Sequence, residues 1–238
     1  MFFKKKKNII IRTNEIPTKI LKEFFVTFPK NMPKYFKDIP KNFFDHQNRR
    51  IRSKTTVRTC SGFINLFKRS LIFTSPFDIE LFIQDKEIRG SVGPFNWTQY
   101  FHHHADWQFI DYAKSDYEFI LKFMPHLTIQ CDYNLVVSNP WWHMNKFEII
   151  PGIINCQEPE NLNIFIPIKK GQNHIFIPQH TPLCYINFET DDQLDLVFED
   201  KGYKPQDYLG LYYTFSNLKR KLVKNIIRNL YHDENIPH

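Results

Sequence analysis

The sequence predicts an all-β fold, jelly-roll-like or a two-sheet β-sandwich, on three observations. Short runs of β-branched and aromatic residues recur about every ten residues between positions 55 and 203. Proline, glycine and asparagine separate them, as turns require. No 10–15-residue helical pattern interrupts the series, which argues against strands alternating with helices on a parallel sheet.

The elements fall into three parts. Residues 1–54 form a basic arm in which Pro17, Pro29, Pro33 and Pro40 alternate with Phe24, Phe25, Phe28, Tyr35, Phe36, Phe43 and Phe44. Prolines at this density confine any helix to about residues 18–27. The aromatics need burial, so the arm is expected to lie against the rest of the chain or against another subunit. The sandwich spans 55–203, with strands expected at 57–60, 71–74, 79–83, 87–92, 107–111, 118–123, 127–131 and 135–137. Further strands are expected at 147–154, 161–168, 174–177, 182–188 and 193–198. Phe73, Ile79, Leu81, Ile83, Ile129, Val136, Ile149, Ile164, Ile166, Ile175, Leu183, Tyr185 and Leu196 are its expected core. In the last part, 204–238, Tyr208, Leu211, Tyr212, Phe215, Leu218, Leu222, Ile226, Ile227 and Leu230 recur at three- and four-residue steps. That stripe predicts an amphipathic helix packed on the sandwich, with Lys219, Arg220, Lys221, Lys224 and Arg228 on its other faces.

Charge is distributed unevenly along the chain. Residues 1–70 carry 18 of the 32 Lys and Arg but 4 of the 25 Asp and Glu, whereas 71–203 carry 8 basic and 18 acidic side chains. A basic arm beside an acidic middle predicts docking of one on the other, within a chain or between subunits of a homo-oligomer. Lys, Asn, Ile and Phe are abundant, the residue bias of an AT-rich genome, so part of the basicity reflects coding. Arg49, Arg50, Arg52 and Lys54 can meet phosphates, but the acidic middle repels the same backbone. Nucleic-acid association is therefore expected to be weak and non-specific at most. No apolar run reaches the roughly 20 residues of a membrane helix. Ile9, Ile10 and Ile11 make too short a run for a signal segment, so the expected setting is cytoplasmic. Cys60, Cys131, Cys156 and Cys184 show no CxxC spacing, which predicts reduced thiols rather than a disulfide framework.

Two constellations carry candidate chemistry. His102-His103-His104-Ala105-Asp106 places an imidazole and a carboxylate two residues apart, so that His104, Asp106 and a distant His180 supply the two-His-one-carboxylate set of a non-haem Fe(II) site. His174 is the alternative third ligand. On this reading the chain is a 2-oxoglutarate-type oxygenase on a jelly-roll. The basic residue expected shortly after the distal histidine is missing; Asn187 and Glu189 occupy that stretch. Asn139-Pro140-Trp141-Trp142-His143 is the second, a group for stacking on a ring if exposed and a hydrophobic plug if buried. No GxSxG elbow or glycine-rich phosphate loop is present. With no complete catalytic set, a non-catalytic binding or structural role leads, and metal-dependent oxygenation is the alternative.

Three segments carry a family resemblance. They are Thr59-Cys60-Ser61-Gly62-Phe63 with Phe73-Thr74-Ser75-Pro76-Phe77-Asp78-Ile79; Ile120-Leu121-Lys122-Phe123 leading to Ser138-Asn139-Pro140; and Ile149-Ile150-Pro151-Gly152-Ile153-Ile154-Asn155 with Ile177-Pro178-Gln179-His180-Thr181-Pro182-Leu183. Over roughly residues 55–190 this order resembles uncharacterised proteins of marine phages, large viruses and some bacteria, of the DUF6065 type. The resemblance implies a shared fold and a viral setting, in the host cytoplasm or the virion. It supplies no reaction and no catalytic residue. Where that family usually has glycine before the Thr-Pro turn, this chain has His180.

Overall fold

The computed structural model describes residues 7–13, 16, 18–44, 47, 49–85, 87–104, 116–190 and 194–199. The strand expected at 107–111 and the C-terminal helix lie outside them. The first part of the chain supplies β1 (Lys7–Thr13), α1 (Thr18–Leu21), β2 (Phe25–Val26) and the paired strands β3 (Asn42–Phe44) and β4 (Arg50–Thr55). Then come α2 (Ser61–Arg69), β5 (Ser70–Thr74), β6 (Ile79–Gln84), β7 (Glu87–Val92) and β8 (Phe95–Asn96). A single turn, α3 (Trp97–Tyr100), precedes β9 (Phe101–His103), β10 (Tyr117–Phe123), β11 (Leu127–Gln130) and β12 (Asn134–Ser138). The series ends with β13 (Gly152–Asn155), β14 (Glu160–Asn161), β15 (Ile164–Lys169), β16 (His174–Ile177), β17 (Pro182–Phe188) and β18 (Leu194–Glu199).

These strands form an all-β sandwich, as the spacing predicts. The sheets run β14-β11-β1-β18, β15-β10-β9, β13-β12-β17-β5-β2 and β16-β6-β7-β8. Every pairing among them is antiparallel except β1 with β18. Their inward faces share one apolar core, in which Ile79, Leu81, Ile164, Ile166, Ile175 and Leu183 are buried. Val136 is half-buried and its neighbours Leu135 and Val137 point inward instead. Leu135, Val136 and Val137 are all apolar, so the sequence does not select the face, and a one-residue shift inverts it. Leu196 packs on the core while partly buried.

The basic segment contributes to the sheets themselves. β1 lies between β11 and β18, with Ile9 and Ile11 buried on alternate positions. Arg12 ties both neighbours: its guanidinium donates to Glu199 Oε2 at 2.7 Å and to Gln130 Oε1 at 2.8 Å. Lys7 reaches Asp132 at 2.8 Å. Opposite charges thus meet where basic and acidic segments pair within the chain, each exposed pair adding about 0–1 kcal/mol and hydrophobic burial carrying the strand.

The sheet β13-β12-β17-β5-β2 is covered on both faces. Leu71, Phe73, Cys184 and Ile186 face the main core. Their register partners Ile72 and Tyr185 face the other way, into a second cluster with Phe36, Phe63 and Phe67. A bulge between Pro182 and Cys184 lets both Leu183 and Cys184 face the main core. α2 covers this outer face. The sequence reads 57–60 as a strand, but Val57–Thr59 is a 3-10 turn leading into this helix. Phe63 and Phe67, one helical turn apart, are its buried stripe, and Lys68 and Arg69 suit its C-terminal end. The stripe is too short to stand out against Ile64 and Leu66, which are apolar and outward.

Candidate functional site

Above α2 and this outer face, residues 26–35 fold into a turn that walls a cleft. Asn31 fixes the turn. It is buried, and its amide donates to the carbonyls of Phe67 at 2.7 Å and Ser70 at 2.8 Å. The Phe67 carbonyl lies in the last turn of α2, where it also accepts the N–H of the C-cap residue Ser70, so one side chain ties the turn to the end of the helix. Asn31's amide N–H bonds Thr27's carbonyl at 3.0 Å. Pro33 then starts a 3-10 turn over Lys34–Lys37. This directs Lys30 and Lys34 outward and leaves Tyr35 half-buried.

The opposite wall comes from two loops. In the first, Trp142 stands edge-on to Phe63 at 4.5 Å, and its carbonyl accepts the Tyr35 hydroxyl at 2.8 Å. The neighbouring His143 places Nε2 3.2 Å from the Asn31 carbonyl, a contact in which the ring nitrogen donates. Burial pushes the His143 pKa below its ordinary value, only partly opposed by that bond, so the ring is neutral near pH 7. Burial likewise raises the Tyr35 hydroxyl. In the second loop His180 adopts φ 65°, in the left-handed region. Its N–H bonds the Ser75 carbonyl at 2.8 Å and its ring stacks on Phe24 at 5.1 Å. Gln179 is held by Asp78 Oδ1 at 2.7 Å and by the Pro76 carbonyl at 3.0 Å. A non-glycine residue in this conformation costs about 1 kcal/mol or more and persists only where surroundings hold it, a frequent mark of binding loops.

The cleft has a volume of about 590 Å³, within the usual small-ligand range. Lys30, Lys34, Tyr35, His143, Gln179 and His180 supply its polar groups, and Val26, Met32, Ile72 and Pro182 its apolar floor. Among the described residues no Asp or Glu lines it. A second cleft of about 540 Å³ lies across the same turn, where Lys37 and Arg58 join Lys30 and Lys34 beside Phe28 and Ile64. No described carboxylate lines this one either.

The two candidate constellations are thereby redistributed. His143 of the Trp-Trp-His group and His180 of the metal set line one cleft. Trp142 backs it, and Trp141 is 68% exposed beside it. His104 lies elsewhere, at the end of the edge strand β9, its ring 5.0 Å from Phe165. His174 stacks on Phe82 at 4.9 Å and meets Glu80 at 3.1 Å. Asp106 is outside the described residues. Among the described residues no group of three or more His, Cys, Asp and Glu is placed to hold a metal ion. The sequence marks Tyr35 only as an aromatic of the arm that needs burial, and does not single out Lys30, Asn31 or Lys34, whose local signal is the Pro29-to-Pro33 bracket. Neither a protein-family model nor a curated protein matches the chain.

Proposed function

We propose that this is a non-catalytic binding protein whose cleft takes a small organic anion carrying a flat ring. The observation that supports it most is the cleft's charge: two lysines and, among the described residues, no carboxylate above an apolar floor. An anionic group is drawn to Lys30 and Lys34, where a cation-lined concavity concentrates negative ligands. Tyr35, His143 and His180 present ring surfaces, and neutral His143 adds a face without a charge to desolvate. A viral setting, which the family resemblance implies, belongs to the same proposal.

Calorimetric titration with phenyl phosphate tests it. A ligand of about eleven non-hydrogen atoms at modest efficiency gives about −4 to −5.5 kcal/mol, a dissociation constant of about 0.1–1 mM. Lys30→Met with Lys34→Met should weaken binding at least tenfold, and inorganic phosphate or phenol alone should bind more weakly than the intact probe. Equal affinity in the double variant would refute the assignment.

A further inference from the structure

We propose that Cys131 and Cys156 form a modification site, a buried dithiol that a hydroperoxide closes to an intrachain disulfide. Cys131 follows β11 and Cys156 follows β13, at the point where the chain bends at Gln157 and Glu158 before β14 pairs with β11. The bend is fixed by the Gln157 N–H on Asn155 Oδ1 at 3.1 Å. It brings the Cys156 carbonyl 2.8 Å from the Cys131 N–H. A backbone hydrogen bond of this length sets the two residues side by side, close to the Cα separation of roughly 4.4–6.8 Å that a disulfide spans. Both side chains belong to the same apolar core. Each also has a backbone acceptor, Tyr133 for Cys131 at 3.3 Å and Ile154 for Cys156 at 3.8 Å. Both are free and buried, at 6% and 0% exposure.

The pair is asymmetric. The neighbouring Cys156 thiol, helped by the bond to the Tyr133 carbonyl, lowers the Cys131 pKa against the opposing effects of burial and Asp132, whereas the neighbouring Cys131 and burial raise Cys156. Cys131 therefore ionises first, and its slight exposure gives a small oxidant access. The Cys131 thiolate attacks one oxygen of hydrogen peroxide: the O–O bond breaks, an S–O bond forms, and hydroxide leaves to take up a proton as water. Cys156 sulfur then attacks the Cys131 sulfenic sulfur. The S–O bond breaks, the S–S bond forms, and hydroxide departs with the Cys156 proton as a second water. Two thiols lose two electrons and one peroxide becomes two waters. The cross-link ties the two-residue edge strand β14 to β11 and restrains the unfolded chain.

The test is direct on the full chain carrying Cys60→Ser, which removes the one exposed thiol. The reduced protein is treated with hydrogen peroxide, blocked with iodoacetamide in denaturant and digested with trypsin. The expected result is a linked pair of peptides, 123–146 with 147–169, that dithiothreitol separates, and a raised melting temperature. Cys184 should remain alkylated throughout. Cys156→Ala should instead leave a Cys131 sulfenic acid that dimedone captures. If that variant does not fold, the peptide map of the Cys60→Ser protein still decides. Full alkylation of both Cys131 and Cys156 after peroxide is consumed, or oxidation of Cys131 to sulfinic acid without a linked peptide, would overturn the proposal.

Discussion

Truncating Ile11 to Ala measures how far the basic segment belongs to the sandwich. Ile11 has no exposed surface, sits on the interior strand β1, and pairs in register with Ile129 on β11 and Phe198 on β18. The change removes three buried carbons. At about 0.8 kcal/mol each the transfer loss is about 2.4 kcal/mol, and the cavity left among rigid strands raises the total to about 3–4 kcal/mol. With a urea dependence of about 3 kcal/mol per molar for a chain of this size, the unfolding midpoint should fall by about 1 M with unchanged slope. Ile20→Ala is the control, because Ile20 is 47% exposed on α1; it should change stability by less than about 0.5 kcal/mol. Equilibrium urea unfolding followed by tryptophan fluorescence reads both. If Ile11→Ala were no more damaging than Ile20→Ala, β1 would not be part of the core and the strand order around it would be wrong.

Other expectations concern single contacts. Gly90 pairs with Leu81, and a Cβ there would meet the Glu80 carbonyl oxygen at 2.1 Å, so Gly90→Ala should cost several kcal/mol, on the order of 2–4, by thermal or urea unfolding. Lys169 bridges Glu148 at 3.2 Å with both side chains about half exposed; Lys169→Met should leave the urea midpoint unchanged within error, since exposed pairs contribute little. The His143 pKa lies below its ordinary 6.5 in the folded protein, so below that pH the unfolded chain binds more protons at this site. Stability should fall as pH drops through 6.5 and be retained above it. His143→Gln should flatten that part of the pH profile, and an unchanged profile would show that His143 is protonated as readily folded as unfolded.

Strand alternation made much of the core legible: Ile79, Leu81 and Ile83, or Ile175 and Ile177, are buried at every second position as written in the sequence. β1 was harder because Lys4–Lys7 and Arg12 dominate a window in which Ile9 and Ile11 alternate in the same way. Its pairing with β18 joins segments nearly 190 residues apart, a relation that local periodicity does not encode. α2 was hidden by apolar residues on its outward side. Of the aromatics in the Pro-rich segment expected to be buried, Phe24, Phe25 and Phe36 are enclosed, Tyr35 is half-buried and Phe28 is 38% exposed. The cleft had no sequence signature of its own because residues 26–35, 72–74, 143 and 179–182 meet only through the fold. His180, just before the Thr181-Pro182 turn, adopts the left-handed backbone that glycine takes most readily, which nothing in its residue type announces.

The most direct measurement of the binding proposal is a histidine-ring NMR titration of the full chain with phenyl phosphate. His143 and His180 belong to different loops and meet at one cleft, whereas His102, His103 and His174 lie on other strands. The proposed function predicts that the ring signals of His143 and His180 shift together and saturate with one dissociation constant, while those of His102, His103 and His174 stay in place. Lys30→Met with Lys34→Met should abolish both shifts. Rings of His143 and His180 that stay fixed at several millimolar probe, about ten times the weakest constant expected, or a His174 signal that moves equally, would contradict it.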